Sequence, residues 1–207
     1  MLASQQALAF DHAGLIFQPY LGYTRASTSA EVATSGDNGS ATWFSLAGYN
    51  YGLTLGYQFG IGLILGADYL RSNLSGSGQG TSEAYYTGSY SDVVKRSYSM
   101  NQLGLLAGLH LGNLGLAPFR IWGTYLVSST LSDSGSYNSG GTGSSSAGYK
   151  LGAGFLMSKV LSLNLEYSDT KLVSKPTGGA QGKEQVQSVN LSLGMNFDQL
   201  FLGERRY

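Results

Sequence analysis

Along most of the chain, apolar and polar residues change places at every step. The stretch "LSLNLEYSD" (Leu161–Asp169) is typical: leucines and a tyrosine at odd positions, serine, asparagine and glutamate between them. Period-two alternation predicts strands. Eight such segments can be read, near residues 14–25, 42–59, 62–74, 97–111, 116–129, 147–158, 161–171 and 186–197. On each, the odd-numbered positions form the apolar face, as in Leu53, Leu55, Tyr57, Phe59 or Val189, Leu191, Leu193, Met195, Phe197.

The connections alternate as well. Short turns are expected near Gly60–Ile61, Gly112–Gly115 and Ser158–Val160. Long Gly/Ser-rich loops are expected near 26–41, 75–96, 130–146 and 172–185. Short against long is the signature of an up-and-down transmembrane barrel, with short periplasmic turns and long external loops. A soluble β-sandwich or jelly roll is the alternative, but its strands usually run about 5–6 residues. Strands of about 11 residues match a tilted bilayer crossing. The fold class expected is therefore all-β, an eight-stranded antiparallel transmembrane β-barrel over residues 14–197. Residues 1–13 would form an N-terminal periplasmic segment or signal remnant, and 198–207 a short periplasmic tail.

Aromatic residues sort by depth on the odd face. Tyr23, Trp43, Tyr49, Tyr69, Tyr125, Tyr149 and Tyr167 fall at the loop end, and Phe17, Tyr57, Phe59, Phe119, Phe155 and Phe197 at the turn end. Two such bands are expected at the lipid–water interfaces. Pro19 interrupts the first strand, so a bulge or an edge effect is expected there.

The even face is small and polar, with glycine frequent. It carries four charges: Asp68, Arg120, Lys150 and Glu166. All four are expected near the middle of the lumen, where opposite charges offset each other's burial. Lys150 and Glu166, on strands joined by a short turn, are the expected direct pair. Glu166 then sits between two lipid-facing residues because it faces inward to meet a cation. A polar core that fixes register is one role for the quartet; a gate in a small ion or solute channel is another.

Composition fits this picture. Charged residues are 12% of the 207, and net charge is zero. That gives no basic patch for nucleic acid. Glycine reaches 31 and tyrosine 15, with 3 prolines and no cysteine, so disulfides and zinc–thiolate sites are excluded. No apolar run approaches the ~18 residues of a membrane helix. "MLASQQALAF" has the form of a signal-peptidase site at Ala7-Leu8-Ala9 without a charged or fully apolar segment ahead of it.

Catalytic and metal chemistry need clustered ligands or a base beside a nucleophile. The two histidines, His12 and His110, stand apart. "GSGQG" matches no phosphate-binding loop. No enzyme activity, cofactor or metal is expected. The loops are the remaining place for recognition, above all Tyr85, Tyr86, Tyr90, Lys95 and Arg96 in the second, since Tyr, Ser and Gly make adaptable binding surfaces.

"YGLTLGYQFGIGLILGADYLRS" (Tyr51–Ser72) resembles strands two and three of small outer-membrane barrels of the OmpA/OmpX/Ail type. "SLGMNF" resembles their insertion signal, with Ser192, Gly194 and Phe197 in its polar, glycine and aromatic positions. The resemblance implies a monomer in a Gram-negative outer membrane with periplasmic termini. It implies outer-membrane lipids and lipopolysaccharide as surroundings, the barrel-assembly machinery during insertion, and a cell-surface ligand at the loops. Some barrels of this kind modify lipid A, with a catalytic His and Ser at the outer-leaflet level; neither histidine here is placed there. The ten residues after Phe197, "DQLFLGERRY", depart from the family, whose aromatic usually ends the chain. Leu200, Phe201 and Leu202 could lie along the inner interface with Arg205 and Arg206 at headgroups, or touch a periplasmic partner.

Overall fold

The computed structural model describes residues 13–32, 40–81, 93–114, 118–133, 142–158, 160–174 and 182–197. Eight strands form one closed barrel, each paired with its sequence neighbours and β8 returning to β1. They are β1 (Gly14–Val32), β2 (Ser40–Gln58), β3 (Leu63–Thr81), β4 (Val93–His110), β5 (Phe119–Asp133), β6 (Thr142–Leu156), β7 (Leu161–Ser174) and β8 (Gly182–Met195). Every pairing is antiparallel.

At the turn end the strand bounds match the sequence reading closely. The β2–β3 turn closes through Gly62 N donating to Phe59 O at 2.8 Å, and Gly62 has φ 86°, which glycine adopts without strain. A 3-10 turn at Leu111–Leu114 follows β4. After β6, Ser158 Oγ accepts from Leu161 N at 3.0 Å.

At the loop end the expectation was too short. Most of the Gly/Ser-rich segments expected as loops are strand: β1 runs on to Val32, β3 to Thr81, β4 begins at Val93 and β8 at Gly182. Gly and Ser have low strand propensity, but pairing and burial override it. At a tilt near 40° and ~3.3 Å per residue, nineteen-residue strands stand roughly 48 Å tall, against an apolar band of ~25 Å. The barrel therefore continues well past its apolar belt.

Outward and inward faces follow the odd–even rule through the belt. Leu15, Leu21, Leu55, Leu65, Leu105, Leu151, Leu165, Leu191 and Leu193 are exposed, while Gln18, Asn50, Asp68, Lys150, Glu166 and Asn190 are buried inside. One exception lies on β5. Leu103 pairs with Ser128 but Gly104 with Leu126, so Val127 is an extra residue. Beyond this bulge the parity reverses, and Ser129 and Leu131 turn inward. A second irregularity lies on β6 between Ser144 and Ala147. Pro19 makes no bulge: it stays in register with Leu53, and the ladder to β8 begins only at Tyr20. That is the edge effect, with no ladder bond asked of the proline.

Candidate functional site

The lumen is filled in tiers. The middle tier is ionic. Lys150, fully buried on β6, makes its direct ion pair with Asp68 of β3, across the lumen. The Glu166 carboxylate of β7 lies 3.6 Å from the same ammonium through Oε2, outside hydrogen-bond reach. The Lys150–Glu166 pair expected from sequence is thus present as an ion pair, and Asp68, from a strand distant in the wall, is the closer partner that the sequence reading did not pair with Lys150. Side chains project across a narrow barrel, so strands distant in the wall meet at the axis.

Neutral donors complete the tier. Thr54 donates to Asp68 Oδ1 at 2.8 Å and the Tyr20 hydroxyl at 3.2 Å. The Trp122 indole N–H donates to Glu166 Oε1 at 2.9 Å. The Trp122 ring reaches that position by lying against the backbone of β6, where any Cβ at Gly152 would collide with it. Glycine there is a condition of the network. One cation thus holds two carboxylates, each of which accepts at least one further hydrogen bond.

Arg120 does not share this depth. It lies one residue into β5, level with Gly154, whereas Lys150 is level with Thr124. Four residues separate the two levels, about 13 Å along the strand. The Arg120 guanidinium donates to Asn196 Oδ1 at 3.2 Å, near the turn end. Between the two levels is a cavity of about 30 Å³, bordered by Gln18, Tyr20, Arg120, Trp122, Asn164 and Glu166. That is room for about two waters.

Above the ions comes a neutral polar tier. Thr24 donates to Asn190 Oδ1 at 2.6 Å and accepts from Asn50 Nδ2 at 2.7 Å. Gln102 donates to Thr170 at 3.0 Å, and Ser168 and Ser188 share a bond of 2.7 Å. Above that, the interior turns apolar. Ala26, Leu46, Leu74, Tyr98, Met100, Leu131, Leu172 and Val186 form one buried cluster, with Phe44 against it. Phe44 and Tyr98 meet edge-on at 6.1 Å.

The even-face reading missed Tyr20, Trp122 and this apolar cap. Each was visible as a large residue at an inward position, and Gly152 and Gly154 opposite Trp122 were the space it needed. Ala26, Leu131 and Leu172 of the cap fell in segments taken for loops, and the other five at the loop ends of expected strands.

The predicted girdle residues Tyr23, Tyr57, Phe59, Tyr69, Phe119, Tyr125, Tyr149 and Phe155 are outward and exposed, and Tyr167 is half-buried. Tyr149 and Tyr167 approach at 6.4 Å, Phe119 and Phe155 at 5.0 Å. Trp43 departs from the outer ring. It pairs with Ser29, while Tyr49 pairs with Tyr23, so its backbone sits about 20 Å further along β2. Its side chain is outside the described residues.

Ser192 and Gly194 are buried on β8, and Phe197 packs edge-on to Phe17 at 5.8 Å while its N–H donates to Phe17 O at 3.0 Å. That bond ties the chain after β8 to the base of β1. Lys95 is exposed on β4. Tyr85, Tyr86 and Tyr90, the Arg96 side chain, His12, residues 1–12 and residues 198–207 lie outside the described residues. His110 is buried at the turn end. Among the described residues no cluster of three or more His, Cys, Asp or Glu has metal-binding geometry.

No protein-family model and no curated protein matches the sequence. Solved structures do match. The outer membrane protein OprG from Pseudomonas aeruginosa aligns over 91% of this chain and 98% of its own, at 13% identity and a TM-score of 0.58. Ail of Yersinia pestis, the attachment invasion locus protein, aligns over 89% and 99% at 14% identity and 0.47. Neisserial surface protein A aligns over 87% and 95% at 16% identity and 0.44. The OprG match makes the fold that of a small outer-membrane β-barrel; at 13% identity it says nothing of a shared role.

Proposed function

We propose that the chain is an integral barrel of a bacterial outer membrane with a closed lumen, acting as a surface scaffold that presents its loop end to the exterior. The observation that carries this is the reversal of sidedness along the strands. In the belt, leucines face out and ions face in; past the tyrosine ring, serines and lysines face out and leucines face in. Lipid outside the belt and water outside the extension account for both halves. Termini at the turn end then belong in the periplasm, and the connections beyond Val32, Thr81, Asp133 and Ser174 face outward.

Closure rests on two independent barriers: the Lys150–Asp68–Glu166 cluster and the apolar cap. A dry apolar constriction opposes ion passage as effectively as a charge does. Function is thereby moved from the lumen to the outer surface, where a ligand on another cell would meet the loops. The channel reading requires both barriers to open. Among the described residues no catalytic arrangement supports an enzyme reading.

Single-channel recording of refolded protein in a planar bilayer tests this. Wild type and Glu166→Gln are both expected to be silent, because the cap still closes the lumen when the ionic tier is weakened. Discrete openings in folded wild type, altered by Glu166→Gln, would transfer the assignment to a channel gated at the charge cluster.

A further inference from the structure

Two arginines, Arg25 and Arg71, occupy the first polar outward positions above the belt on β1 and β3. Arg71 is set among aromatic rings. It pairs in register with Tyr51 of β2 and Asn101 of β4. Tyr69 lies two residues below it on β3, and Tyr49 faces Asn73 two residues above. The side chain is half-buried, and its Nε is enclosed without a hydrogen-bond partner. Asn101 is fixed beside it, accepting from the Tyr69 hydroxyl at 3.2 Å and donating to Thr130 at 3.3 Å.

Among the described residues, the positions around Arg71 hold no counter-charge. The outward positions flanking Arg71 on β2, β3 and β4 are Tyr49, Tyr51, Leu53, Tyr69, Asn73, Ser99, Asn101 and Leu103. None is acidic. Directly below, Leu55, Leu65 and Leu105 form an exposed apolar surface. A guanidinium whose Nε–H lacks a partner, at the boundary between an apolar wall and water, suits one ligand chemistry: a phosphate attached to acyl chains. Arginine binds phosphate through two parallel N–H bonds. The acyl chains would lie along the leucines, and Tyr51 and Asn101 would flank the headgroup.

We propose that Arg71 is a binding site for the phosphate of an outer-leaflet lipid, with Asn101 and Tyr51 at its sides. The proposal rests on the membrane reading above and adds a specific lipid contact to it. Snorkelling alone would carry the charge upward into water; enclosure of Nε at the level of the tyrosines holds it at headgroup depth instead.

The test uses the full chain, refolded in detergent, with phosphatidic acid as the probe and native mass spectrometry as the readout. Wild type is expected to retain one phosphatidic acid in preference to phosphatidylcholine. Arg71→Gln should weaken that retention about tenfold or more, the loss of roughly one charge-assisted pair. Arg71→Lys should fall between, since an ammonium cannot make the paired contact. Lys95→Gln removes the same charge about 20 Å further along the wall and should change nothing. Inorganic phosphate at the same concentration should not displace the lipid. Equal affinity in wild type and Arg71→Gln overturns the site, and so does an equal loss in Lys95→Gln, which would mean diffuse attraction. Displacement by inorganic phosphate would make it an ion site and not a lipid site. If Arg71→Gln fails to refold, Arg71→Lys decides: affinity equal to wild type overturns the proposal. Failure of wild type to insert into phosphatidylcholine bilayers would instead break the membrane reading itself.

Discussion

The belt and the extension are built from the same strands with opposite chemistry. On β1, Leu21 and Tyr23 face out while Gln18, Tyr20 and Thr24 face in; a few residues on, Arg25 and Ser27 face out and Ala26 faces in. On β7, Leu163 and Leu165 face out beside inward Asn164 and Glu166; then Lys171 faces out and Leu172 in. The alternation persists across the change, and only its sign reverses. A strand has no preferred apolar side of its own. On the proposed membrane placement, the medium on each side selects it: lipid against a polar lumen below, water against an apolar interior above. The tyrosine ring marks where the outside medium changes.

The contrast can be attacked from the inside of the belt first. Lys150→Met would leave the Asp68 and Glu166 carboxylates buried without their cation, and should destabilise the barrel by about 3–5 kcal/mol in urea unfolding from vesicles. A smaller loss would mean that the ionic tier is dispensable for the belt. The cap should respond as an ordinary protein core does. Leu46→Ala should lose about 2–5 kcal/mol, and its outward neighbour Ser45→Ala should stay within about 0.5 kcal/mol. Equal effects at 45 and 46 would contradict an apolar interior at that level.

Arginine scanning of the outer face sharpens the same contrast. Leu191→Arg, in the belt, should disfavour insertion by about 2–4 kcal/mol. Ser27→Arg, past the tyrosines, should insert like wild type. Within the ionic tier, a smaller effect than that of Lys150→Met is expected from Glu166→Gln. It keeps an acceptor for the Trp122 indole and leaves Asp68 on Lys150, so a loss of about 1–2 kcal/mol is expected, again by urea unfolding.

Much of this was legible in the sequence, and the reason for the rest is physical. The eight segments, their order and the faces of Leu53–Phe59 or Val189–Met195 could be read because leucine against glycine or serine gives alternation of large amplitude. The extension could not. There the outward residue is often serine and the inward one leucine or methionine, so the sign reverses, and the run is short before serine and glycine take over and look like loop. The inward charges Asp68, Lys150 and Glu166 were found by parity alone. The Lys150–Glu166 pair followed from adjacency, but the closer Lys150–Asp68 pair did not, because sequence gives neighbours in the wall and says nothing of reach across the axis. The depth of Arg120 was missed because β5 begins at Phe119, later than the alternation suggested. The Val127 bulge leaves no mark in composition at all.

The strands do not rise equally past the tyrosines. β3 continues from Tyr69 to Thr81, but β7 only from Tyr167 to Ser174 and β5 from Tyr125 to Asp133. At about 3.3 Å per residue and a 40° tilt, the end of β3 stands roughly 10 Å further past the tyrosines than the ends of β5 and β7, while β1 and β8 end level, Val32 beside Gly182. The mouth is thus a ramp and not a level crown. A flat body set down on the described strand ends would therefore tilt toward the β5 and β7 side, with one orientation about the barrel axis favoured before any residue-specific contact is made.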